Sequence, residues 1–243
     1  MKQWKVSAIG LSFVLLILLF FLFLMRGGFR EKVEITLPPL SAGEQNMQGV
    51  SENAITDVSV TPDTVQWVIE TLARPDNYAC IVRMERFWNG GNAETITDVH
   101  VAQGWTSLRT AEGIQIRYVL TNGETTYIWY DNSREYYQAP AVFSEDAEYG
   151  IPTYEDILLL PRDRIAAADY RAYGNTDCIY AETTEDEDGY RERYWISVAQ
   201  GLPVAVEKEQ EGVLIFRMEA DSIESGAAQA EAFQLPDGER VWE

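Results

Sequence analysis

Apolar positions change their period three times along the chain. From Val6 to Met25 they run without a break, twenty residues with no charge. At ~1.5 Å each they reach roughly 30 Å, the thickness of a bilayer core. The run ends Met25-Arg26-Gly27-Gly28-Phe29, with charge and bulk where a signal peptidase needs small side chains. An uncleaved anchor is therefore expected at 6–25, with residues 1–5 as a cytoplasmic head and the long C-terminal part on the extracytoplasmic side. Residues 33–60 keep no apolar period. They carry Pro38-Pro39, Gly43 and Gly49 among polar residues and read as a flexible spacer.

At Thr61-Pro62-Asp63 the period becomes helical, with Thr61 as N-cap and Val65, Val68, Ile69 and Leu72 in one stripe. Arg74-Pro75 stops it. Alternation takes over after that. Val82, Met84 and Trp88 share one face against Arg83 and Glu85. Ile114, Ile116, Tyr118 and Leu120 share a face against Gln115 and Arg117. Corners recur about every ten residues at Asn89-Gly90, Gln103-Gly104, Glu112-Gly113, Asn122-Gly123 and Asn132-Ser133, which is hairpin chemistry. Thr153-Tyr154-Glu155-Asp156 interrupts the ladder with a capping-box pattern, predicting a short helix up to Pro161 within a loop over 141–163. Strands resume near 164–173, 176–184, 190–199, 202–210 and 213–223. A last edge strand is expected at Phe233–Gly238.

The pattern thus predicts a mainly β (α+β) domain over 61–243. It is an antiparallel meander of about eleven strands, with one helix before it and one in the middle. Accumulated twist curls so large a sheet, and helices on its concave side would enclose an apolar space.

That order resembles the LolA-like lipoprotein-carrier superfamily, which includes LolB-like and RseB-type domains. The local likenesses are Asn122-Gly123-Glu124-Thr125-Thr126-Tyr127-Ile128-Trp129-Tyr130-Asp131, then Tyr194-Trp195-Ile196-Ser197 with Gly201-Leu202-Pro203-Val204, and Phe233-Gln234-Leu235-Pro236-Asp237-Gly238. The resemblance implies a half-barrel with a helical lid and a hydrophobic cavity for acyl chains, lipid or a lipoprotein partner. The tether suits the membrane-bound members of Gram-positive bacteria. One departure is local. The carriers latch the lid with an Arg-Pro at the second hairpin, and this corner reads Gln103-Gly104-Trp105. A static module is favoured over a shuttle.

Composition narrows the chemistry. The net charge is −20, and residues 1–32 hold five basic groups and one acidic, leaving 14 basic against 38 acidic beyond them. Such a surface repels phosphate backbones, so nucleic acid is excluded as a partner. A single histidine, His100, and two cysteines, Cys80 and Cys178, supply no zinc ribbon or iron–sulfur site. No metal site and no cofactor are expected. A nucleophilic triad would have to use His100, and no Gly-x-Ser-x-Gly accompanies it. The acidic run Glu185–Asp188 fails as a calcium loop, with Thr184 and Trp195 where acidic ligands belong. The domain is read as a binding protein and not an enzyme.

The candidates for a cavity wall are the large side chains on strands: Met84, Trp88, Trp105, Tyr118, Trp129, Trp195, Phe216 and Met218. The same residues would serve as ordinary core, and which face is concave is not legible. Cys80 and Cys178 are either one disulfide or two buried thiols. Two functions follow. One is a hydrophobic-ligand or lipoprotein-binding module on the outer face of the membrane. The other is a protein–protein sensor, or an envelope or sporulation scaffold, that keeps the fold without a lipid.

Overall fold

The corners do what their chemistry requires: Gly104, Gly113, Gly123, Gly174, Gly189 and Gly212 all take positive φ between consecutive strands. The computed structural model describes residues 59–140 and 150–242. The expected head, anchor and nearly all of the spacer lie outside the described residues. Six strands precede the central helix: β1 (Tyr78–Trp88), β2 (Gly91–Ala102), β3 (Trp105–Glu112), β4 (Gln115–Thr121), β5 (Thr125–Tyr130) and β6 (Tyr137–Pro140). Five follow it: β7 (Ile165–Tyr173), β8 (Thr176–Thr183), β9 (Tyr190–Ser197), β10 (Pro203–Gln210) and β11 (Val213–Ser225). All pairings are antiparallel in one open, curled sheet.

The strand order corrects the single meander. It runs β6-β5-β4-β3-β2-β1-β11-β10-β9-β8-β7. Two meanders therefore meet at β1 and β11, with Met84 opposite Met218. The sequence neighbours β6 and β7 stand at opposite edges. The chain between them must cross the sheet, and the second helix lies on that crossing.

Both helices cover one face. Helix α1 (Val65–Thr71) starts a turn later than its Pro62 signal, because Thr61 and Thr64 first close a turn, Thr61 O accepting from the N–H groups of Thr64 (3.0 Å) and Val65 (2.9 Å). Helix α2 (Tyr154–Leu159) carries the predicted capping box: Asp156 Oδ2 accepts the Thr153 N–H at 2.7 Å. Val65 and Ile69 of α1 and Ile157 of α2 are fully buried against Val82, Met84, Val206 and Met218 of the sheet.

A second, smaller core lies on the outer face of β3–β5. There a single 3-10 turn at Ala230–Phe233 and one bridge, Gln234 to Arg240, replace the expected final strand. Phe233 and Leu235 bury themselves against Leu120 and Trp129 instead of extending the ladder. A sheet edge would not have covered these outward apolar side chains; a folded tail does.

Candidate ligand-binding cavity

Alternation along β1 sends Tyr78, Cys80, Val82 and Met84 toward the helices. Their cross-strand partners continue the surface: Cys80 faces Val99, Val99 faces Leu108, and Met84 faces Met218. Between this floor and the Ile151–Glu155 segment lies a cavity of about 270 Å³, lined mainly by apolar atoms. Burial pushes the Tyr78 hydroxyl up to about 12 and the Cys80 thiol up to about 11. Both stay neutral in neutral solution, so these two groups bring no charge to the wall.

On the other side of Ile151–Thr153 a more open groove of about 720 Å³ runs between α2 and the sheet. Its floor holds Val206, Tyr194 and Phe216, and Leu159 and Leu160 stand opposite. One cross-strand row forms its rim: Arg86, Phe216, Lys208 and Glu192, on β1, β11, β10 and β9.

Two side chains of α1 and its C-terminal turn hold the lid. Gln66 Nε2 donates to the carbonyls of Ile157 (2.9 Å), which also accepts the Leu160 N–H, and Leu160 (2.8 Å), tying α1 to the end of α2. Arg74 donates from Nη2 to Ile69 O (2.6 Å), from Nη1 to Leu72 O (3.1 Å) and from Nε to Gly201 O (3.1 Å). Its guanidinium also lies 3.5 Å from the centre of the Tyr154 ring. Gly201 is obligatory there: at φ +63° a Cβ would sit 2.8 Å from Ala73 O. In the sequence Arg74 reads only as a helix stop. A basic residue just beyond the helix C-terminus is the signal that was available for its capping role.

The eight candidate wall residues divide. Met84 and Met218 are on the lid face, 2% and 1% exposed, and Met218 lines the cavity. Phe216 lines the open groove. Trp88 continues the same face beyond the lid, 57% exposed, beside a dent shared with Phe87 and Leu214. The other four point the opposite way. Trp105, Tyr118 and Trp129 belong to the tail-covered core, Tyr118 and Trp129 stacked at 5.3 Å. Trp195 packs between Tyr173 and Tyr180, each 5.2 Å away, on the outer face of β7–β9. The β4 alternation holds for Ile116, Tyr118 and Leu120, while Ile114 falls in the exposed turn before the strand; this apolar side faces the tail, and it is Arg117 that turns inward, buried. Tyr78, Val99, Leu108, Ile151 and Tyr154 line the cavity and were not among the candidates.

Cys80 and Cys178 are free thiols. Strands β11, β10 and β9 lie between theirs, a path of about 19 Å along the sheet at ~4.8 Å per strand. Cys80 also faces the lid, whereas Cys178 shares the outer side with Tyr180. A bridge is not formed. His100 is engaged structurally, its Nδ1 accepting the Gln229 N–H at 3.3 Å and so holding the start of the tail. The acidic hairpin is tied up by its own backbone: Asp186 Oδ1 accepts from the N–H groups of Asp188 (3.0 Å) and Tyr190 (2.8 Å). Among the described residues no group of three or more His, Cys, Asp or Glu is placed to hold a metal.

No protein-family model matches the chain, and no curated protein is similar to it in sequence. Among solved structures it is similar to MucB at 16% identity, over 70% of this chain and 60% of that one, with a TM-score of 0.42. MucB in complex with MucA(peri) gives 17% identity over 70% and 57%, with a TM-score of 0.36. A LolA superfamily protein from Nitrosomonas europaea gives 10% identity over 72% and 97%, with a TM-score of 0.35. The chain thus spans only about 60% of MucB's length.

Proposed function

We propose that residues 61–243 form a membrane-tethered, extracytoplasmic binding module that takes an apolar chain between the sheet and α2, an acyl chain or lipid, free or on a lipoprotein. The observation that carries this is the cavity of about 270 Å³ under Ile151–Glu155, walled by Val82, Val99, Leu108 and Met218 and continued by an open groove past the lid. Apolar pockets with few polar groups suit flexible hydrocarbon, and methionine adapts to it. Catalysis is no part of this reading: the cavity's lining is mainly apolar, and Glu155 is its one carboxylate.

The test is a titration of the full chain, held in amphipol, with the methyl ester of cis-parinaric acid. Saturable fluorescence is expected. So is protection of Cys80, and not Cys178, from alkylation while the ester is bound. Absence of saturable binding would favour the second reading, a protein–protein module. One observation speaks for that alternative: Trp67 on α1 is 50% exposed, a large apolar side chain left open to a partner surface.

The tether belongs to the same proposal. Val6–Met25 spans the membrane, Lys2 and Lys5 remain cytoplasmic, and residues 33–60 carry the domain on the outside. Protease added to intact wall-less cells is expected to cut within 33–60. Full protection of that segment would reverse the orientation.

A further inference from the structure

The rim of the open groove carries a cation that no described residue pairs with. Arg86 is exposed on the lid face of β1, opposite Phe216 of β11. Its guanidinium lies 5.9 Å from the centre of the Phe216 ring, and among the described residues it has no ion-pair partner. The other charges around the groove are committed. Lys208 Nζ pairs with Glu192 at 3.0 Å and lies over the Tyr190 ring. Glu192 also accepts the Tyr194 hydroxyl at 2.7 Å, and Asp156 is engaged in the α2 capping box. Immediately inward of Arg86 on the same face, Met84, Met218 and Val206 form an apolar row. Cation and apolar floor are therefore two residues apart on one strand face, about 7 Å. That spacing matches a charged head joined directly to a hydrocarbon chain. In a chain of net charge −20, an anion finds little other welcome.

We propose that Arg86 makes the groove selective for amphiphiles with an anionic head, a carboxylate or a phosphate, whose hydrocarbon runs along the groove floor over Phe216, Val206 and Tyr194. This rests on the acyl-binding reading above. Guanidinium suits either head because its planar fork pairs with two oxygens at once.

The test compares cis-parinaric acid with its methyl ester on the full chain in amphipol at a pH where the acid is ionised. The acid is expected to bind about tenfold more tightly, the worth of one charge-assisted hydrogen bond. Arg86→Gln is expected to remove that difference while leaving ester binding intact, which also shows that the variant is folded. Arg86→Lys is expected to keep part of it. Dodecanoate and dodecyl phosphate are then competed against the bound acid. Displacement by either supports the proposal, and the stronger competitor names the head. Equal affinity for acid and ester in the unaltered protein, or an equal loss of both in Arg86→Gln, overturns the head-group role and leaves the acyl cavity standing. Displacement by inorganic phosphate alone at the same concentrations also overturns it, as a free-anion site. If neither probe binds the unaltered protein, the cavity reading falls and this proposal with it.

Discussion

The two faces of the sheet are made by alternate residues of the same strands, yet they are stabilised in different ways. On β9 and β10, Tyr194, Ile196 and Val206 turn toward the helices and are buried. The alternate positions Arg193, Glu207 and Glu209 turn outward into an ion-pair lattice. Arg193 meets Glu209 at 2.6 Å and Glu207 at 3.5 Å, and Glu207 meets Arg217 at 3.2 Å. The lattice continues on other strands, with Arg83 on Glu94 (3.2 Å) and Arg109 on Asp98 (2.9 Å). Over β3–β5 the outer face is apolar and the C-terminal tail covers it, and over β7–β9 Trp195 packs with Tyr173 and Tyr180. Outward positions are thus largely ionic over β9–β11 and apolar over β3–β5, where the tail covers them. The lid face keeps neither option, because it must stay apolar and still leave room.

The comparison breaks first where a cover is removed. Phe233→Ala deletes a fully buried ring from the tail core, and a loss of about 3–5 kcal/mol is expected in denaturant unfolding. A shift of tryptophan emission should accompany it as Trp129 meets water. Native emission in that variant would show that the tail is not what covers this face.

Ile157→Ala asks the same of the lid. Its side chain is fully buried between α2 and the sheet, so about 2–4 kcal/mol should be lost. Because the lid borders empty space, the acyl probe should still bind. Abolished binding with an intact sheet would mean that Ile157 shapes the cavity itself.

Titration sharpens the comparison, since one thiol lies on each face. Burial raises both Cys80 and Cys178 from 9.0 to about 11. Below pH 9 both thiols are protonated whether the chain is folded or not, and the full stability is present. As pH rises from 9 toward 11 the unfolded chain ionises first, so stability falls, by about 1–2 kcal/mol per thiol after allowing for partial exposure. Melting temperatures across that window should decline less in the Cys80→Ala, Cys178→Ala variant. Parallel curves for the two proteins would remove the thiols as the cause.

The smallest effect belongs to the lattice. Arg193→Ala should cost about 1 kcal/mol or less, because part-exposed pairs are screened. High salt should shrink the difference. A loss that salt does not touch would mean that Arg193 acts through packing.

Much of the ladder was legible because its signals are local. Asn122-Gly123 specifies a turn whatever lies elsewhere, and Thr153 with Asp156 closes a capping box within one helical turn. Strand partnership beyond neighbours has no such signal, so the encounter of β1 with β11 was out of reach. Facing was out of reach for a related reason. Tyr118 and Leu120 are correctly paired on one side of β4, but a period of two does not say which side holds the lid. Size then misled the choice of cavity residues. Large aromatics such as Trp105 and Trp129 fill the space they are given, whereas a cavity persists where side chains are modest, as with Val82, Val99 and Leu108. Arg74 was missed because its partners, Gly201 and Tyr154, come together only in the folded chain.

The seam between the two meanders also orders events in time. Every other pairing in the sheet joins strands consecutive in the chain, through turns of a few residues, and such hairpins form within microseconds. The seam alone joins the first strand to the last, Met84 to Met218, and must await the slow closure of a very long loop. During synthesis, β1 leaves the ribosome with Tyr78, Ile81, Val82 and Met84 on a strand whose second edge has no neighbour until Val213–Ser225 emerges. A newly made chain therefore carries an open apolar edge for most of its translation, which is the state that holding chaperones recognise and that aggregation exploits.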